Sequence, residues 1–438
     1  MDKNNDLETF SKKYLLDTYA RDYTHFVRGE GAKLYDDKGE EYIDFTAGIG
    51  VNALGHNHPA LVEAIANQAS KVLHLSNLFY IDSQAHLAKK MVELVEREMK
   101  VFFCNSGLEA NECAIKIARI YGERFRVVDS GESSGESAPS LRDSHRESKQ
   151  STHESNCDSS LFNAYKNHRY KIITLKNSFH GRSIATLRAC GQDKMHTHFS
   201  PFPDGFLYAK DISEMIEIAK ADSAVVAVFI ELIQGEGGIY ALPKEQVQKL
   251  ARFCDERDIL LMIDEVQSGI FRSGKFLASK HYEIAPNVVT LAKGLAGGVP
   301  IGAVLCDKID IFAPSQHGST FGGNPLSTTA GLTTLEVLEK CEKSGALAKN
   351  IVLFNAQLQS IKNDFNSVVM GVSGIGFMRG LKTKDDETLG QIIAKARKKR
   401  LLVLRSGNAT LRFLPPLLIT DGEIMEGFAR LRSALREI

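Results

Sequence analysis

Three short stretches of this chain hold residues whose types and spacing could do chemistry. In FFCNSGLEANECAIKIARIYG, Ala110, Cys113, Ala114, Ile117, Ala118 and Tyr121 recur at helical spacing. Ser106 and Glu109 stand three apart, as in a capping box, which predicts a helix starting at Ser106. The free N–H groups of its first turn, with Gly107 permitting close approach, would receive an anion such as phosphate. In LLMIDEVQSG, Asp264 ends an apolar run. An ionised carboxylate buried there needs a cationic partner, and a protonated ring nitrogen would serve. In VVTLAKGLAGGVPIGAV, Lys293 follows a third apolar run and precedes a glycine-rich stretch. A partly desolvated lysine there loses its proton more readily and becomes a nucleophile toward carbonyls. Read singly, these are a strand–helix turn, a structural carboxylate and a surface lysine. Together they offer partners for a phosphate, a pyridinium and an aldehyde, the three handles of pyridoxal phosphate.

The elements that must position them are legible as periodicity. Val101–Cys104, Lys171–Leu175, Val225–Ile230, Leu260–Ile263 and Val288–Leu291 read as buried strands, mostly followed by helical stretches. That alternation predicts a mostly parallel α/β sheet covered on both faces, with the ligand beyond the strands' carboxyl ends. The residues just past these runs are Asn105-Ser106-Gly107, Ser178-Phe179-His180, Glu231, Asp264 and Lys293. From about Phe312 the pattern returns to helices and then LRFLPPLLI, which predicts a smaller C-terminal domain completed by the N-terminal residues. The boundaries expected are 1–65 for the N-terminal segment, 66–311 for the large domain and 312–438 for the small one. A segment from about Ser130 to Ser160 is about a third serine and almost devoid of apolar residues, so it reads as a disordered insertion.

Bulk composition excludes several classes. The 438 residues are 43% hydrophobic and 25% charged with a formal net charge of +0, which favours neither nucleic acid nor an anionic membrane as partner. The seven scattered cysteines include no C-x-x-C pair, so no metal site is expected and the thiols suit a reducing compartment. The polar start and the short longest apolar run, Ala224 to Ile230, predict a cytoplasmic protein without a signal peptide or membrane span.

Over nearly its whole length, from about Tyr14, the sequence resembles the class III, fold type I, pyridoxal-phosphate aminotransferases, and within them the acetylornithine aminotransferases. The resemblance is carried by GIGVNALGHNHP, SNLFY, NSGLEANE, NSFHGR, QGEGG, IDEVQSG, LAKGLAGG, HGSTFGGNPL and RFLPPLLI. It implies a large domain with a mostly parallel seven-stranded sheet, plus a smaller α+β domain built from both termini. It also implies roles. Lys293 and Asp264 would be catalytic and would also bind the cofactor, Lys293 as a Schiff base and Asp264 at the ring nitrogen. Ser106, Gly107 and Leu108 would hold the cofactor phosphate, joined by Thr320 from the neighbouring subunit of a homodimer. Phe179 and Val266 would border the ring, Gln267 would contact its phenolic oxygen, and Glu231 would support Asp264. Arg182 would clamp a substrate carboxylate, Arg412 would take the second carboxylate of glutamate, and Glu236 would shield one arginine when the other substrate is bound. Ser319 would touch substrate across the interface, and Asn77 and Tyr80 would lie at the entrance, Asn77 donating to an acyl amide. Departures are Leu108, Leu232, Ala296, the Phe271-Arg272-Ser273 triplet and the long insertion.

The reaction so implied passes the terminal amino group of N2-acetylornithine to 2-oxoglutarate, giving N-acetylglutamate 5-semialdehyde and glutamate, a step of arginine biosynthesis. Succinyldiaminopimelate, ornithine and 4-aminobutyrate are alternative amino donors. A mutase acting on glutamate semialdehyde is the alternative of another reaction class. A DNA-binding regulator on this fold is disfavoured, because the resemblance begins too early to leave room for a further domain and the net charge offers no footprint for nucleic acid.

Overall fold

Seven strands form the central sheet: β1 (Lys100–Cys104), β2 (Lys171–Leu175), β3 (Phe206–Ala209), β4 (Val225–Ile230), β5 (Leu260–Asp264), β6 (Val288–Leu291) and β7 (Gly302–Cys306). The computed structural model describes residues 3–22, 24–124 and 169–438. The serine-rich segment 130–160 lies outside the described residues. The strand order is β1-β7-β6-β5-β4-β2-β3. β7 runs antiparallel to both its neighbours, and the remaining strands share one direction.

Every residue of β4, β5, β6 and β7 is buried, as a sheet covered on both faces requires. Alternation within a strand sorts side chains to two cores. Leu260 and Met262 pack with Ala110, Cys113 and Ile117 of the helix Gly107–Arg124. Leu261 and Ile263 pack with Met215 and Leu250 of the helices Ile212–Ala221 and Lys244–Glu256.

The five strands expected from the sequence are present within a residue of their expected ends. β3 and β7 were not expected. β3 is a four-residue edge strand, too short to declare a period. β7 lies in the glycine-rich stretch after Lys293, where the sequence suggests open space for a ligand. Because β7 is antiparallel, its first residues lie at the edge where the parallel strands end. Gly302 is forced by that arrangement: a Cβ there would stand 2.3 Å from the Ser106 carbonyl oxygen.

The two ends of the chain share structure. Phe26–Glu30, Lys33–Asp36 and Glu41–Asp44 form an antiparallel meander, and Leu401–Leu402 adds to it in parallel beside Ile43 and Asp44. A second four-stranded sheet holds Val369–Ile375, Met378–Thr383, Thr410–Phe413 and Leu404–Ser406. An aromatic cluster joins them. Phe354 stands edge-on to Phe45, Phe413 and Phe428 at centroid distances of 5.3, 6.0 and 4.8 Å. The helix Pro325–Lys343 starts with Asn324 accepting from Ser327 N at 2.9 Å and proline in its first turn. It packs on the helices Pro59–Ala69 and Asp82–Val95. No helix among the described residues is long and apolar enough to cross a membrane.

Candidate active site

A cavity of about 460 Å³ opens at the carboxyl ends of the parallel strands. Its first wall is the start of the helix Gly107–Arg124. Ser106 Oγ accepts from Glu109 N at 3.2 Å, so Ser106 is the N-cap and the helix itself begins one residue later than expected. The reciprocal half of the box is also displaced: the Glu109 carboxylate reaches the Asn105 N–H and side-chain amide. Gly107 and Leu108, in the uncapped part of the first turn, line the cavity. Val266 closes over them, and a Cβ on Gly107 would lie 2.6 Å from Val266 Cγ1.

The floor is Asp264, the last residue of β5 and 5% exposed. Its Oδ2 accepts from Asn111 Nδ2 at 2.8 Å and from His180 Nδ1 at 2.9 Å; its Oδ1 accepts from Val266 N at 3.0 Å. An ionised carboxylate only accepts, so His180 carries its proton on Nδ1 toward Asp264. That ring is stacked on Phe229 at 4.3 Å, and its Nε2 is buried without a partner. Asn111 and His180 were assigned no role from the sequence. His180 stood among the strand-end residues. Asn111 was detectable as an amide interrupting an otherwise apolar helix face, next to Ala110.

Glu231, just past β4, is pushed up to about 7 by burial; His180 opposes the shift and the charge of Asp264 adds to it. Its carboxyl accepts from Phe179 N at 2.9 Å and Gly235 N at 3.1 Å, so it ties two cavity loops together. Phe179 and Gln267 line the cavity, and Gln267 Oε1 is buried without a partner.

Lys293 faces Asp264 across this space, two residues past β6. Burial drives its amine's pKa below the usual lysine value; Arg412 pushes the same way, while Asp264, Glu231 and Glu236 oppose. Its φ of +42° lies in the left-handed region, which costs a non-glycine residue about 1–3 kcal/mol and is typical of functional positions.

Two arginines sit at different depths. Arg182 is exposed at the cavity mouth, its Cζ 5.8 Å from the Phe179 ring centroid, with no carboxylate in ion-pair range among the described residues. Arg412 is buried. Its Nη1 pairs with Glu236 Oε1 and donates to Gly235 O at 3.3 Å, while its Nε has no partner.

Ser319 and Thr320 do not line this cavity. They border a second depression with His74, Ser76 and Asn77, and Asn105 Nδ2 joins the two spaces by donating to Ser319 Oγ at 3.2 Å. Asn77 differs from its expected role as a donor to an acyl amide. Its Nδ2 donates to Ser319 O at 3.1 Å and Gly322 O at 2.9 Å, and its Oδ1 accepts from Gln84 Nε2. Both its hydrogens are spent holding the loop of Ser319 and Thr320. Tyr80 is fully exposed, beside exposed Leu78 and Phe79. Among the described residues no three His, Cys, Asp or Glu side chains converge as a metal site.

A parallel-edged sheet with a lysine and an aspartate on adjacent strand ends facing a helix start defines a class, and comparison with known proteins gives its family. Residues 18–435 match the class-III aminotransferases, and the chain belongs to that family. It is 48% identical over 431 residues to an acetylornithine aminotransferase of Wolinella succinogenes, covering 98% of this chain and 100% of that protein. It is 42% identical to another of Caldanaerobacter subterraneus, over 98% of this chain and 99% of the other. Among solved structures it resembles an N-acetylornithine aminotransferase from Stenotrophomonas maltophilia, with 32% identity, a TM-score of 0.73 and 98% of each chain covered. It also resembles an ornithine aminotransferase from Toxoplasma gondii, with 27% identity, a TM-score of 0.84, and 100% of this chain and 96% of that one covered.

Proposed function

We propose that this chain is a pyridoxal-phosphate-dependent aminotransferase that moves the terminal amino group of N2-acetylornithine to 2-oxoglutarate in the cytoplasm. The placement of Lys293 and Asp264 on neighbouring strand ends, facing one cavity whose wall is the start of the helix Gly107–Arg124, carries the reading. The residues present fit the cofactor. Ser106, Gly107 and Leu108 offer a helix start to its phosphate. Asp264, aligned by His180 and Asn111, suits a protonated ring nitrogen. Phe179 and Val266 supply walls, and Gln267 Oε1 is buried without a hydrogen-bond partner beside them.

When bound, the cofactor supplies an aldehyde for amines and an electron sink in its ring. The chain does the rest. Lys293 Nζ, its pKa lowered by burial, is the base that takes the proton from the amine-bearing carbon and returns one to the other side. Asp264 would hold the protonated ring nitrogen, with Glu231 beside it holding the Phe179 and Gly235 loops. Arg182 clamps the substrate carboxylate bidentately at the mouth. Glu236 covers Arg412 while the amine donor is bound, and yields it to the second carboxylate of the dicarboxylate partner.

The acyl preference rests on charge. Among the described residues the depression bordered by Ser319 and Thr320 has no carboxylate in its lining, so a free α-ammonium would go unpaired there while a neutral amide costs less. Ornithine is the second reading, favoured by the structural likeness to an ornithine aminotransferase.

The site is proposed to be completed by a second copy of the chain. Leu78, which lines the same depression, and Leu73, Phe79, Tyr80 and Phe321, next to its lining segments in the chain, are all more than half exposed, and exposed apolar side chains in such number are of the kind that mark an interface. A symmetric dimer would bring Thr320 and Ser319 to the partner's cavity.

The deciding experiment is the ratio of kcat/KM for N2-acetylornithine and ornithine at saturating 2-oxoglutarate. A ratio well above one supports the acyl reading, and a ratio near or below one refutes it. Turnover without any oxoacid would instead point to the mutase chemistry.

A further inference from the structure

We infer that Arg272 is a positioning residue for Arg412, tying the cofactor-side loop to the strand end that presents the second-carboxylate arginine. This rests on the reading of Arg412 given above.

Arg272 is 2% exposed and has no carboxylate in ion-pair range among the described residues. Burial alone pushes its guanidinium down to about 9, so it is still charged near neutral pH. A buried cation without a counter-charge is costly, and an apolar side chain of similar size would avoid that cost. What the guanidinium does is hold backbone. Its Nη1 donates to the Pro415 carbonyl, three residues past Arg412, and its Nη2 has no partner. Its Nε lies 3.9 Å from where a Cβ on Gly50 would stand, next to Val51 of the cavity wall. Its own carbonyl accepts from Phe377 N at 2.9 Å.

Three chain segments therefore meet at this side chain, and a fourth, at Phe377, is tied to its backbone carbonyl. One is the loop that carries Asp264, Val266 and Gln267 into the cavity. Another is the end of Thr410–Phe413, whose exit is otherwise tied by Leu414 N to Phe45 O and Leu417 N to Ala53 O, both at 2.8 Å. The Arg412 guanidinium has little to fix it once Glu236 turns away: among the described residues Gly235 O is its remaining hydrogen-bond acceptor. Its reach then depends on where its backbone stands: the sheet pairs Arg412 with Gly380 and Leu404 on either side, and Arg272 is the side chain from the cofactor loop that fixes the strand's exit at Pro415. Arg182, which would clamp the amine donor, lies on a different segment and is not tied by Arg272.

The two half-reactions should therefore separate. Holoenzyme carrying Arg272→Met or Arg272→Lys is mixed rapidly with N2-acetylornithine or with glutamate, and the cofactor's absorbance change is followed. Arg412→Lys serves as reference, and dimer mass and thermal melting report folding. For Arg272→Met the second-order constant with glutamate should fall about tenfold or more, and that with acetylornithine less than about threefold. Arg272→Lys, which keeps a donor, should give a smaller loss of the same selectivity and decides the matter if the methionine variant does not fold. Equal losses in both half-reactions, or none, overturn the inference. If Arg412→Lys itself leaves glutamate unaffected, the second-carboxylate reading of Arg412 fails first and takes this one with it.

Discussion

Arg412 stands behind Glu236, its Nη1 2.5 Å from Glu236 Oε1, and only the glutamate faces the main cavity. The pair presents a negative surface to whatever enters, and a positive one only after Glu236 moves. For Glu236→Gln we expect the preference for glutamate over acetylornithine in the half-reaction to rise about tenfold, because Arg412 is no longer covered by a matching charge. An unchanged preference would show that the pair is only structural.

Lys293→Ala should abolish turnover with every amine donor while leaving the fold and the proposed dimer intact. Removing a strained left-handed side chain that makes no hydrogen bond or ion pair among the described residues should not lower the melting temperature of the cofactor-free protein by more than a few degrees. Residual turnover at the wild-type rate would remove Lys293 from the mechanism.

Arg182→Lys keeps the charge and loses the planar fork. KM for both substrates should rise by about tenfold to a hundredfold, with the bound cofactor's absorbance unchanged. Kinetics like the wild type's would show that the carboxylate is held elsewhere.

Subunits carrying Lys293→Ala and Thr320→Ala, unfolded together and reassembled, should form hybrid dimers in which one site has both native residues. Activity of the mixture should exceed that of either parent. No gain in a sample shown to contain hybrids would rule out a shared site.

Glu265, next to Asp264 in the chain but not lining the cavity, gives a pH test. It is buried and accepts from Ala278 N and Ser279 N, and burial pushes its carboxyl from the usual 4.5 to about 7. The folded state thus holds a proton that the unfolded chain has already released. Stability from this group is complete below about pH 4.5 and is lost as pH rises toward 7. Glu265→Gln stays neutral throughout. The melting-temperature advantage of wild type over this variant should therefore shrink between pH 5 and pH 8, and an advantage that grows would contradict the assignment.

Much of the site was legible before any fold was known. Lys293, Asp264, Phe179, Glu231 and the Ser106–Leu108 turn all end apolar runs or lie within four residues after them, and runs of that kind alternating with helical stretches read as buried strands whose ends fall on one edge. Binary pattern is local, so one sequence suffices to read it. The capping box at Ser106 was legible for the same reason, although its carboxylate half lands on Asn105.

What the sequence could not decide is pairing between distant residues. That Asn111 and His180 share Asp264 Oδ2 depends on three segments closing together, and nothing at 111 or 180 alone says so. The commitment of the Asn77 amide to Ser319 and Gly322 is of the same kind. So is the direction of β7, which hydrogen bonds to both β6 and β1 decide. Local residue types determined which groups would be buried and reactive. Only chain closure, through hydrogen bonds between residues tens to hundreds of positions apart, determined which of them would face one another.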